Sequence, residues 1–151
     1  RQFVKLLLLA GGRAAAAPET REAEAYLKRA AAAGRRIGLK AAELVEIDER
    51  KANWLEAVPK GGVLLALDER GDNLSSPELA ALLRRHLEGG VSAFCWAIGA
   101  ADGLPPAVRA AARHTIAFGR ATWPHMLVRV MAAEQVYRAV TLLTDHPYHR
   151  V

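Results

Sequence analysis

Thr115–Val151 reads TIAFGRATWPHMLVRVMAAEQVYRAVTLLTDHPYHRV. A short apolar segment, Thr115–Phe118, is followed by a turn at Gly119. Trp123-Pro124-His125 then opens an apolar stretch that predicts a helix over Pro124–Leu143. Leu127, Met131, Glu134 and Arg138 fall on one stripe of that helix, and Val130, Ala133, Tyr137, Val140 and Thr141 on another. Val128, Ala132 and Ala139 cover much of a third. A helix apolar around most of its girth is buried on more than one side, and in a small domain the second side predicts a homodimer interface. Glu134 and Arg138 stand in the favourable acidic-to-basic order for an ion pair within the helix.

Working back from this end, short apolar segments alternate with helical ones. Phe3–Ala10 is a continuous apolar run closed by Gly11-Gly12, the pattern of a strand covered on both faces. Pro18 opens a helix to about Ala33, with Glu19 in its first turn and Gly34 after it. Further strands are expected at Leu44–Ile47, Val63–Leu67, Ala93–Ile98 and Thr115–Phe118. A short helical piece is expected around Asn53–Val58. Ser76, as N-cap ahead of Pro77, starts a helix that ends at Gly89-Gly90. Pro105–Arg113 is a shorter one. The alternation predicts a single α/β domain, residues 1–151, with a mainly parallel sheet.

At 151 residues, 52% of them hydrophobic and 25% charged, the chain has the composition of a globular domain. Its net charge of +5 is compatible with an anionic partner. The lone Cys95, in the apolar run AFCWAIG, excludes an internal disulfide and a Cys-based zinc site, and reads as a buried thiol. FVKLLLLAGG is too short to span a membrane and carries no signal-peptide cleavage pattern, so a cytoplasmic protein is expected. No GxGxxG follows a strand, and neither GxxxxGK[ST] nor GxSxG occurs.

In parallel sheets, ligands bind beyond the carboxyl ends of the strands. The glycine-bearing turns around Gly71, Gly99–Gly103 and Gly119 are therefore the candidate walls of a site. Two readings fit them: close approach of bare backbone to a ligand, or tight turns that need positive φ. His86 reads as solvated and His114 as a helix-end cap. His125, His146 and His149 lack the spacing of a metal site. Arg129, Tyr148 and Arg150 are residue types suited to phosphate contacts and base stacking.

The stretch TWPHMLVRVMAAEQVYRA, with HPYHR after it, resembles the SPOUT-class methyltransferases that modify N3 of a pseudouridine in 23S ribosomal RNA, the ribosomal large subunit methyltransferase H family. LDERG at Leu67–Gly71, the Ser75-Ser76 helix start and IGAADGL at Ile98–Leu104 fall in the family's order. The resemblance implies a C-terminal trefoil knot, a homodimer, and S-adenosylmethionine bound by Leu67, Gly99 and the segment Phe118, Gly119, Arg120, Ala121, Thr122 and Trp123. It also implies an assembled ribosome as substrate. His125, Arg129, His146, Tyr148 and Arg150 are the expected substrate contacts. Tyr148, His149 and Arg150 are the expected catalytic group, with His149 accepting the N3 proton. Two features depart from the family: Ala100 replaces a second glycine, and Asp48–Trp54 is short. The competing expectation is a ribosome-binding factor that keeps the fold but has a closed pocket.

Overall fold

Leu6 and Leu8 point to one side of the sheet and Leu7 and Leu9 to the other, and all four are buried. They belong to β1, Val4–Gly11, an inner strand of a computed structural model that describes residues 3–51 and 53–149. Every residue of the strand but the exposed Lys5 is buried, which is why its sequence runs without polar alternation. β4, Ala93–Ile98, is buried at every position. Burial there pushes the Cys95 thiol up to about 11, so it stays protonated.

The sheet has five strands in the order β2-β1-β4-β3-β5, all paired in parallel. Here β2 is Leu39–Ile47, β3 Val63–Asn73 and β5 His114–Ala117. Helices α1 (Pro18–Gly34), α2 (Ser76–Glu88) and α4 (His125–Leu143) cover one face, and their core includes Leu27, Leu83, Phe94, Trp96 and Val136. The other face is covered more thinly, by α3 (Pro106–Ala111) and the segment bearing Trp54.

The structure moves several expected boundaries. β2 starts at Leu39, well before Leu44, because pairing with β1 extends it along the sheet edge. α1 includes Gly34 and runs into a 3-10 turn at Arg35–Ile37, closed by Gly38 at φ 91. The N-cap of α2 is Ser75 rather than Ser76. Its hydroxyl accepts from the Glu78 amide while the Glu78 carboxylate accepts from the Ser75 amide. Such a reciprocal cap is worth about 1 kcal/mol.

β3 does not stop at Leu67. Leu67 and Asp72 both lie opposite Ile116, so residues 68–71 bulge out of the pairing before the strand resumes. At Gly71 a Cβ would come within 2.6 Å of the Thr115 carbonyl, so this glycine serves close strand packing. α4 ends where the Thr144 hydroxyl donates to the Val140 carbonyl and Asp145 turns to φ 56. The chain then folds back in a 3-10 turn at Pro147–His149. Among the described residues, no helix is long and apolar enough to cross a membrane.

Candidate functional site

Beyond the carboxyl ends of β3, β4 and β5 lies a cleft of about 560 Å³. Its walls come from the β3 bulge, the Ile98–Leu104 turn and the segment that joins β5 to α4. The second wall is a self-closed loop: the Gly103 amide donates to the Ala100 carbonyl at 2.8 Å. A Cβ on Gly99 would lie 2.5 Å from the Gly103 carbonyl carbon, so only glycine fits there.

The third wall is tethered at three points. The Gly119 amide donates to Asn73 Oδ1 at 2.9 Å, the Thr122 hydroxyl to Glu69 Oε2 at 2.8 Å, and Trp123 Nε1 to the Phe118 carbonyl at 2.9 Å. Gly119 has φ +85 and Gly103 φ +77, and a Cβ on either would meet nothing within 4 Å. Both present bare backbone to open space. These are the features of a cradle for a nucleoside-sized ligand held largely by main-chain groups.

One ionised group is built into the first wall. Asp68 accepts from Arg70 Nε and Nη2, each at 2.9 Å, and from the Arg70 amide. These hydrogen bonds hold the Asp68 carboxyl down to about 2 despite partial burial. Arg109, whose guanidinium donates to the Leu104 carbonyl, lies on the same cleft. Ala100 sits on the wall with its methyl 4.0 Å from where a Gly12 Cβ would be, and the cleft stays open beside it.

Of the residues expected around a cofactor, Leu67, Gly99, Phe118, Gly119, Ala121, Thr122 and Trp123 line this cleft, and so does His125. Arg120 is exposed and lies outside the lining.

Arg129 corrects the expectation of a substrate contact. Its side chain is 1% exposed and pairs with Glu46 at 2.8 Å. The same guanidinium donates to Thr20 Oγ1 and to the carbonyls of Gly11 and Gly12. Spending its donors on buried acceptors, it cannot reach solvent or RNA.

His146 and Tyr148, expected to contact the substrate, lie away from the cleft of their own chain. The Tyr148 hydroxyl donates to Glu134 at 2.8 Å, and its ring lies 4.5 Å from that of Tyr137. Burial and the bond to Glu134 push its phenol well above the usual tyrosine range. The guanidinium of Arg29 sits 4.4 Å from the Tyr137 ring and 5.4 Å from the Tyr148 ring, and Glu134 also pairs with Arg138 at 2.7 Å. His146 Nδ1 accepts from the Tyr148 amide. A rise of about 1.5 Å per residue puts Tyr137 roughly 18 Å along α4 from His125 at the cleft. The side chain of His149, and Arg150, lie outside the described residues.

The remaining histidines differ from expectation too. His86 is neither solvated nor isolated: its Nε2 lies 2.9 Å from Nε2 of His114, and its ring stacks on Phe94. His114 begins β5 rather than capping a helix. Sequence reasoning overlooked Glu69 and Asn73, which brace the third wall. Glu69 stands within LDERG without a role that the run reveals, Asn73 carries no motif, and only the fold brings them opposite Thr122 and Gly119.

A family model described as a predicted SPOUT methyltransferase matches residues 4–149. The ribosomal RNA large subunit methyltransferase H of Cereibacter sphaeroides is 48% identical over 156 residues, covering 98% of this chain and 100% of that one. Its counterpart from Methylocella silvestris is 45% identical over 159 residues, covering 97% and 99%. A solved structure, a probable methylase family protein from Haemophilus influenzae, superposes with a TM-score of 0.50 at 10% identity, covering 97% of this chain and 70% of that one. That likeness is one of fold alone.

Proposed function

Because the chain belongs to the SPOUT methyltransferase family, and within it to the ribosomal RNA large subunit methyltransferase H family, we propose that it methylates N3 of a pseudouridine in 23S ribosomal RNA, acting on the assembled ribosome. Family membership brings with it the α/β knot fold, with its C-terminal trefoil knot. The observation that carries the proposal is the open cleft of about 560 Å³ beneath the tethered loop of Phe118–Trp123. A ribosome-binding factor with a closed pocket is disfavoured by this open space.

Leu67, Gly99, Gly119, Thr122 and Trp123 are the residues that would hold the cofactor. Bound there, S-adenosylmethionine supplies a methyl group activated by its sulfonium charge. The protein's own tasks are to fix the target base, exclude water and remove a proton, since an imide N3–H is protonated at neutral pH. The Asn73, Glu69 and Phe118 tethers fix the loop before the ligand arrives, so little ordering is left for the binding step. His125, at the mouth of the cleft, is placed to meet the substrate.

Tyr148, folded back against Tyr137 and Glu134, is too far along α4 to serve the cleft of its own chain. A homodimer resolves this. Trp123 and Leu127 are 43% and 41% exposed, and Met131 on the same stripe is partly exposed. Two copies of α4, 19 residues and roughly 28 Å long, packed in opposite directions along this stripe would set the tail of one beside the cleft of the other. In that arrangement Tyr148 and Arg150 of the partner subunit hold the nucleotide and His149 of the partner subunit accepts the proton.

Calorimetric titration with S-adenosylmethionine tests the enzymatic reading. Micromolar binding supports it, and no heat at millimolar ligand would overturn it in favour of the binding factor.

A further inference from the structure

Across Arg70 from the cofactor cleft lies a second one, of about 530 Å³, between α2 and β5. Arg70 and Ile116 belong to the walls of both, so the two clefts are neighbours on one surface. Arg85, in the last turn of α2, and Arg113, just before β5, line the outer cleft and are exposed. Among the described residues neither guanidinium takes part in an ion pair.

Three other charged groups line this cleft. Glu78 is committed to the cap of α2 and Arg70 to Asp68, which leaves the exposed Asp72. His114 completes the wall, its ring fixed by the 2.9 Å contact with His86 and by the stacking of His86 on Phe94. Burial, together with the positive field of Arg113 and Arg85, holds both imidazoles below the usual histidine range. Against these two guanidiniums the cleft sets one uncommitted carboxylate, Asp72, and among the described residues no ion pair joins it to either, so the balance of charge here is positive. A planar guanidinium fork suits phosphate oxygens, and the cleft has ample room for one phosphodiester.

We infer that the outer cleft is a docking site for a backbone phosphate of the RNA substrate, held by Arg85 and Arg113 beside the His86–His114 pair. The inference rests on the RNA methyltransferase reading above. With Arg70 as the ridge between the clefts, a strand delivering a base to the cofactor would pass its backbone over this second site. Phosphate contacts of this kind set position rather than sequence preference.

The test is equilibrium binding of the chain to assembled ribosomes lacking the methylation, across a series of KCl concentrations. The double variant Arg85→Ala/Arg113→Ala is compared with wild type and with Lys28→Ala/Lys40→Ala, which removes the same charge from exposed positions elsewhere. The Arg85/Arg113 variant is expected to bind about tenfold more weakly, through loss of charge-assisted hydrogen bonds. Its log–log salt slope should be shallower by about 1, while calorimetry shows S-adenosylmethionine binding unchanged. Affinity and slope equal to wild type would overturn the inference, as would an equal loss in the Lys28/Lys40 variant. If wild type itself bound no assembled ribosomes, the ribosomal reading would fall and this site with it. A variant that binds ribosomes weakly yet still methylates them at saturating concentration separates the docking site from the chemistry and supports the inference.

Discussion

Arg129 of α4 lies 2.8 Å from the Glu46 carboxylate of β2, joining parts of the chain 83 residues apart. Glu46 also accepts from the Ala14 amide at 2.7 Å, and Arg129 reaches the carbonyls of Gly11 and Gly12. One buried guanidinium thus gathers the end of β1, the start of α1, β2 and α4. Arg129→Met would leave these acceptors and the carboxylate without their donor. Breaking such a buried pair from one side costs about 3 kcal/mol. Urea unfolding should show that loss. The Glu46 side chain is 23% exposed, so water can reach it, and Glu46→Gln should cost less.

Asn73 and Gly119 form the tether that shapes the third wall of the cleft. Asn73→Ala removes the acceptor of the Gly119 amide and should weaken S-adenosylmethionine binding several-fold, whereas Asn73→Asp keeps an acceptor and should retain most of the affinity. Gly119→Ala adds a strain of about 1 kcal/mol at positive φ and puts a methyl into the open cleft. It should lose at least tenfold. Calorimetry on folded protein distinguishes the three variants, and equal affinities would contradict the proposed role of this loop.

Asp68 gives a pH dependence with a defined sign. The Arg70 hydrogen bonds lower its carboxyl from the ordinary 3.8 to about 2, so the folded state favours the ionised form. That contribution is complete above pH 4 and disappears as pH falls toward 2. Arg70 is well exposed, so the effect is a fraction of that for a buried pair. Asp68→Asn should therefore flatten the stability profile between pH 4 and 2 and leave its shape above pH 5 unchanged.

The shared-site arrangement predicts complementation. A Gly119→Arg chain has a blocked cleft and an intact tail, while a Tyr148→Ala chain has the reverse. Neither homodimer should transfer methyl groups. Random mixing and refolding should restore roughly a quarter of wild-type activity, since half of the dimers would be mixed and each would hold one complete site. If the mixture stayed inactive while sedimentation showed mixed dimers, the tail would not act across the interface.

The parts of the fold written in continuous apolar runs were legible in the sequence. β4 was expected with the boundaries it has, and β1 within a residue, because a strand buried on both faces admits few polar residues. Edge and bulged strands were not legible: Leu39–Glu43 mixes polar with apolar side chains, and Asp68-Glu69-Arg70-Gly71 reads as a turn although the strand resumes after it. Gly99 and Gly119 were legible as glycine turns beyond the carboxyl ends of the strands, whereas Trp123 was named through family likeness alone. Arg129 was misread because a lone arginine near histidine and tryptophan carries no sign of its distant partner Glu46. His86 and His114 were misread for the same reason, since only packing of α2 against β5 brings them to 2.9 Å.

The central claim is enzymatic, and the direct measurement is transfer of a labelled methyl group from S-adenosylmethionine to 23S RNA, presented either as naked RNA or within ribosomes that lack the modification. The account predicts label at N3 of one pseudouridine, appearing on the ribosome and not on free RNA, because a domain of 151 residues has little surface with which to read RNA unaided. A chain that bound S-adenosylmethionine yet left both substrates unlabelled would contradict it.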